Sequence, residues 1–152
     1  MTELFATLLV VFAVDRTAKM LAFRRPGPEG RSALAGLVTI RPHRNPRPRL
    51  WPAGSRASWV LSFGFALAAG SLLVLIDPFA GPAVRFGLGA ALGGALGNLY
   101  DRLRHGAVLD FLELGRGGLF NPADAALVLG LCTVLGSHVC VAVQGAVLEG
   151  GR

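Results

Sequence analysis

Apolar residues gather along this chain in four long blocks instead of recurring at the period of a single soluble core. The blocks run over about Glu3–Phe23, Ala57–Ile76, Pro82–Tyr100 and Pro122–Val147. Each approaches the length of about 20 residues that a helix needs to cross the hydrocarbon of a bilayer. The predicted fold class is an all-α membrane protein, with four transmembrane helices in one integral-membrane domain over residues 1–152. The third block is rich in Gly and Ala, and its Gly93 and Gly97 form a small-xxx-small pair that lets helix backbones approach closely.

The connections differ in kind. Asp77-Pro78 with Gly81-Pro82 marks a short turn between the second and third blocks. The stretch from Arg24 to Arg56 is long and rich in Pro and Arg, and its LAGLVTI run predicts a small extended or β element on the membrane surface. A polar loop joins the third and fourth blocks. Within it AVLDFLEL shows no helical stripe and reads as extended chain, presenting Asp110 toward the bundle and Glu113 to the opposite face. Four spans place everything from Asn98 to Asp124 on the side where the first helix ends, beside Asp15 and Lys19.

Composition supports the same class: 53% of residues are hydrophobic and only 16% are charged. The net charge of +6 is unevenly spread, for eight of the fifteen Lys and Arg lie between Arg24 and Arg56 with Glu29 as the one acid among them. This basic loop reads as a surface for lipid head groups and not for nucleic acid. By the bias of positive charge alone it would face the cytoplasm. Cys132 and Cys140 fall inside the last block without a CxxC pattern and read as helix-packing residues. The first block lacks a basic leader and a small-residue cleavage site, so it reads as a retained span.

Charged groups at membrane depth are costly and point to function unless they are paired. Asp15 and Lys19 are four apart with the acid first, the favourable order for a helical ion pair. Asn98, Asp101 and Arg102 share one face at the end of the third block and can tie the following loop to it. In FNPAD, Asn121 suits a helix N-cap, Pro122 the first helical position and Asp124 the first turn. Capping alone accounts for those residues. Two carboxylates delivered to one interface, Asp110 and Asp124, also suit acid–base activation of water, because close like charges leave one protonated and one ionised. The helix N-terminus favours Asp124 as the ionised member and leaves Asp110 as the proton carrier.

The blocks GNLYDR, GAVLDF and FNPAD, in that order, resemble those of the lipoprotein signal peptidase family, signal peptidase II, and VDRTAK resembles its N-terminal block. The resemblance implies a four-span aspartyl endopeptidase of the bacterial inner membrane that cleaves diacylglyceryl-modified prolipoproteins before the lipidated cysteine. It makes Asp110 and Asp124 the catalytic dyad, with Asn98, Asp101, Arg102, Asn121 and Ala123 supporting the site and Asp15 with Lys19 stabilising it. It implies no metal or other cofactor, globomycin-type inhibitors as ligands, and an active site on the extracytoplasmic face, against the charge bias. Membrane lipids are partners expected of the basic loop, and nothing in the sequence demands more than a monomer. The family's first extracytoplasmic loop carries an Asn followed by a Gly-containing, aromatic-ended stretch. The nearest match is Asn45 in RPHRNPRPRL, where prolines and arginines take the place of the small and aromatic residues.

Two other classes remain open. A non-catalytic paralogue would bind lipidated proteins without cutting them, as the altered loop allows. A small proton-coupled transporter would also use intramembrane carboxylates, although the second and fourth blocks carry little polarity beyond His138 and a few hydroxyls.

Overall fold

The computed structural model describes residues 1–24, 31–33, 37–46, 63–70, 72, 81–115 and 118–150. Three long helices are bounded: α1 (Thr2–Arg24), α2 (Pro82–His105) and α3 (Pro122–Gly150). Residues 63–70 and 72 are also helical, within the second apolar block; the rest of that block lies outside the described residues, as does most of the Arg/Pro-rich connection. Pro82 opens α2 at a position where its missing N–H costs nothing. Gly106 closes it at φ 69°, donating its N–H to the Arg102 carbonyl at 3.0 Å. That left-handed cap is the conformation glycine adopts without a Cβ penalty.

Helix α2 lies between α1 and α3, and small residues set how closely. A Cβ at Gly89 would meet the Leu4 carbonyl at 2.5 Å, one at Gly93 the Leu8 carbonyl at 2.7 Å, and one at Gly97 an Asp15 carboxylate oxygen at 2.6 Å. On the other side, Gly94 abuts the Ala123 carbonyl and Gly87 abuts Gly130. Gly93 is thus a backbone contact with α1, while Gly97 makes room for the Asp15 carboxylate. Leu4, Leu8, Val84, Leu88, Leu92 and Val134 fill the apolar core away from the polar end.

The surface is inverted relative to a soluble protein. Phe5, Leu9, Val10 and Val14 of α1 and Leu129, Leu135, Val139 and Val147 of α3 are exposed, while Asp15, Lys19, Asn98, Asp101, Asp110 and Asn121 are buried. Lipid is the solvent that suits such an exterior. Among the described residues, α3 alone is long and apolar enough to pass as a span on length and composition, over Pro122–Leu148. Charges in the second half of α1 keep that helix from the same reading. Cys132 and Cys140 are exposed on α3, which corrects the expectation that they pack between helices.

The extended elements form one sheet. Strands β1 (Arg31–Ala33), β2 (Val38–Asn45), β3 (Val108–Leu114) and β4 (Leu119–Phe120) pair antiparallel in that order. The extended reading of AVLDFLEL holds. The sheet also joins the loop after α1 to the loop after α2, a pairing that the sequence left as two separate surface elements.

Candidate active site

Two carboxylates define the site, each carried on a different kind of element. Asp110 sits on β3, buried at 3% exposure, and Asp124 sits in the first turn of α3, half-buried. Asn121 caps α3 as its sequence indicates, its Oδ1 accepting the Asp124 N–H at 3.0 Å. The Asp124 carboxylate lies in turn within reach of the Asn121 backbone N–H, the reciprocal arrangement of a capping box.

Three asparagines hold the two acids, and two of them link one acid to the other. Asn98 donates from Nδ2 to Asp124 Oδ1 at 2.7 Å. Asn121 donates from Nδ2 to Asp110 Oδ1 at 2.7 Å and to Asn98 Oδ1 at 3.2 Å. Asn45 donates from Nδ2 to Asp110 Oδ2 at 3.1 Å. The cap fixes which way the Asn121 amide points: its oxygen is held by an N–H, so its nitrogen faces Asp110. Asp110 and Asp124 are near enough that the charge of either acts on the other, so the two form one electrostatic unit.

Beneath this amide layer is a buried ion cluster. Lys19 Nζ lies 2.9 Å from Asp15 Oδ2 and 2.7 Å from Asp101 Oδ2, and donates to Asn98 Oδ1 at 3.3 Å. Arg16 bridges the same two acids, 2.7 Å from Asp15 Oδ2 and 2.7 Å from Asp101 Oδ1. Its guanidinium lies 4.8 Å from the centroid of the Tyr100 ring, which shields the pair from one side. Two carboxylates against two cations leave the cluster neutral, the condition under which buried charge is tolerated.

The cluster holds the backbone as well as the charges. Asp15 Oδ1 accepts the N–H of Ala123 at 3.2 Å, and Asp101 Oδ2 accepts the N–H of Leu109 at 3.1 Å. Ala123 and Leu109 are the residues immediately before Asp124 and Asp110. Each acid of the cluster therefore anchors the peptide that delivers one carboxylate of the pair, and the spacing of the pair follows from a charge network on other helices. Arg102 contributes charge to the same region, acting on Asp124, Asp101 and Asp110.

A β-bulge decides whether Asn45 can take part. Ile40 pairs with Leu112 but His43 pairs with Asp110, so three steps along β2 match two along β3, with the irregularity at Arg41-Pro42. Proline lacks the N–H that a continuous ladder needs, which favours a bulge there. Opposite residues in an antiparallel pair share a face. Continued without the bulge from Ile40, the register would set Asn45 across from Ala107, on the face away from Asp110. With it, Asn45 pairs with Val108 and its amide reaches Asp110.

The structure thus brings together Asp110, Asp124, Asn98, Asn121, Asn45, Asp101, Asp15 and Lys19, with Arg102 alongside and Ala123 contributing its N–H. The sequence reading assigned no role to Arg16. Its signal was present in VDRTAK, one position from Asp15, but neighbouring residues on a helix do not face each other, and only the approach of Asp101 from α2 gives Arg16 its second partner.

A family model described as signal peptidase (SPase) II matches residues 7–140. Proteins named lipoprotein signal peptidase are similar to this chain. That of Syntrophomonas wolfei is 37% identical over 132 residues, covering 83% of this chain and 85% of the relative. That of Rhodococcus jostii is 34% identical over 137 residues, covering 84% and 67% respectively. That of Pelotomaculum thermopropionicum is 55% identical over 49 residues, a match spanning 32% of each chain. Two solved structures of a bacterial membrane enzyme, obtained by the in meso method, superpose with TM-scores of 0.77 and 0.75 at 21% identity. They cover 91% and 89% of this chain, and this chain covers 88% and 91% of theirs, so the fold is shared. On the family match across most of its length and the two relatives covered over two thirds or more, this chain belongs to the signal peptidase II family.

Proposed function

We propose that this protein is an intramembrane aspartyl endopeptidase that removes signal peptides from diacylglyceryl-modified prolipoproteins, cleaving before the lipidated cysteine, with Asp110 and Asp124 as its catalytic dyad. The observation that carries the reading is the convergence of both carboxylates on one shared set of amides, with the preceding peptide of each anchored by the buried ion cluster. A capping role alone explains Asn121 and Asp124 but gives no reason for Asp110 to be held beside them. The four spans, the bacterial inner membrane and the extracytoplasmic orientation belong to the same proposal. So do membrane lipids and globomycin-type inhibitors as partners, and the monomeric state.

In the proposed reaction Asp124 is ionised, supported by the helix N-terminus, and takes a proton from the attacking water. Asp110 carries a proton that polarises the scissile carbonyl, and the proton taken up by Asp124 passes to the leaving amine, which returns the dyad to its starting state. The hydrogen bonds favour one oxygen of Asp110 for the proton it carries. Asp110 Oδ1 accepts from the Asn121 amide, which supports Oδ2 as the oxygen that carries the proton. A carboxamide can present either its oxygen or its nitrogen, and Asn45 turned over would accept the Oδ2 proton until substrate arrives.

A gel-shift cleavage assay on a diacylglyceryl-modified prolipoprotein in detergent or lipid tests the proposal. Wild-type protein is expected to cleave and to be stopped by globomycin, while Asp110→Asn and Asp124→Asn remain folded and inactive. A folded wild type that binds the substrate without cutting it would overturn the enzymatic reading in favour of a binding paralogue.

A further inference from the structure

Asn45 is one of two β2 side chains that the bulge turns toward Asp110. The other is His43, which the register places directly opposite Asp110. Directly opposed residues have Cβ atoms about 4.5–5.5 Å apart and project on the same face. The two differ in what surrounds them. Asp110 is buried beneath Asn121 and Asn45, whereas His43 is exposed and makes no hydrogen bond or ion pair among the described residues. Arg44 next to it pairs with Leu109 and so projects from the opposite face. Among the described residues, then, an imidazole without a partner stands at the rim of the proposed dyad, on its side of the sheet.

A neutral imidazole carries one N–H donor and one lone-pair acceptor. An extended peptide offers the complementary pair, a carbonyl and an N–H, on either side of the bond to be cut. From this juxtaposition the geometry points to His43 as a substrate-binding residue that hydrogen-bonds the peptide backbone beside the scissile bond. The inference rests on the proposed peptidase reading and deepens it: Asp110 and Asp124 carry out the chemistry, and His43 holds the chain across them. No proton transfer is assigned to the imidazole. Its contribution is made equally in the bound state and the transition state, so its loss raises KM and leaves kcat little changed.

The test uses the full-length protein in lipid and a fluorescent diacylglyceryl-modified lipopeptide spanning the cleavage site. His43→Ala is expected to raise KM on the order of tenfold, the upper range for one neutral hydrogen bond, with kcat within about twofold. His43→Gln, which keeps a donor and an acceptor, is expected to recover part of that loss. An unchanged KM in a folded His43→Ala protein would overturn the inference while leaving the peptidase reading intact. A wild-type protein that fails to cleave would overturn both.

A second measurement remains informative if the alanine variant does not fold. With Cys132→Ser, Cys140→Ser and Asp124→Asn as background, His43→Cys and Arg44→Cys are each exposed to a maleimide with and without the lipopeptide. The thiol at position 43 is expected to be protected by the peptide and the thiol at position 44 to remain reactive. Equal protection of both, or of neither, would count against His43 as a contact.

Discussion

The helix-borne and sheet-borne sides of the site are built on different terms. On the helices, Asp15, Lys19, Asp101, Asn98 and Asn121 are all buried, and they bond to one another, to the two carboxylates of the pair and to three backbone N–H groups. On the sheet, Asn45 meets Asp110 with a half-buried amide, His43 is exposed, and Arg41 stands at 66% side-chain exposure. A closed network of compensated charges tolerates little change, since removing one member strands another without water. The sheet side can vary its residues and still keep its strand pairing. The helices therefore fix where the carboxylates stand, and the sheet is the side free to be fitted to what lies across them.

The sharpest way to break this contrast is Lys19→Met, which leaves Asp15 and Asp101 with Arg16 as their shared cation. A loss of about 3–5 kcal/mol is expected, as for other buried pairs deprived of one partner, with cleavage lost in parallel; thermal unfolding in detergent reads the first. Next comes Asp110→Asn, expected to lower kcat by about 10²- to 10⁴-fold, the range for a positioned acid or base. Its melting temperature should stay near that of the wild type, separating chemistry from scaffold. Asn45→Ala should lower kcat by roughly two- to tenfold, the equivalent of one hydrogen bond between neutral groups, with stability changed by less than about 1 kcal/mol. A destabilisation as large as that of Lys19→Met would abolish the distinction between the two sides. At the small end, Arg41→Gln removes a 3.8 Å contact with Glu113 at the exposed edge. Its effect on unfolding should fall below about 0.5 kcal/mol.

What the sequence revealed divides along the same line. The Asp15–Lys19 pair, the Asn121 cap and the placement of Asp101 at the end of α2 are helix signals, set by spacings of three or four residues. The extended character of β3 was also legible, from its lack of a helical stripe. The pairing of β2 with β3 was not, because it joins residues about 65 positions apart and leaves no local period to detect. Nor was the bulge, since Arg41-Pro42 in isolation reads as an interruption of a strand. Asn45 looked marginal because the residues after it depart from the family pattern, yet its contact with Asp110 depends on register. The cysteines were misplaced for a related reason: in a bilayer a small apolar residue is as well suited to the lipid face as to a helix contact.

The irregularity at Arg41-Pro42 gives this loop one residue to spare. Deleting Pro42 would let the ladder run on from Ile40 with His43 still opposite Asp110 and Asn45 still opposite Val108. What would unseat both is the same chain paired without the break, which turns them to the other face with every residue unchanged. For this segment, the phase in which Asn45 is paired matters as much as its presence.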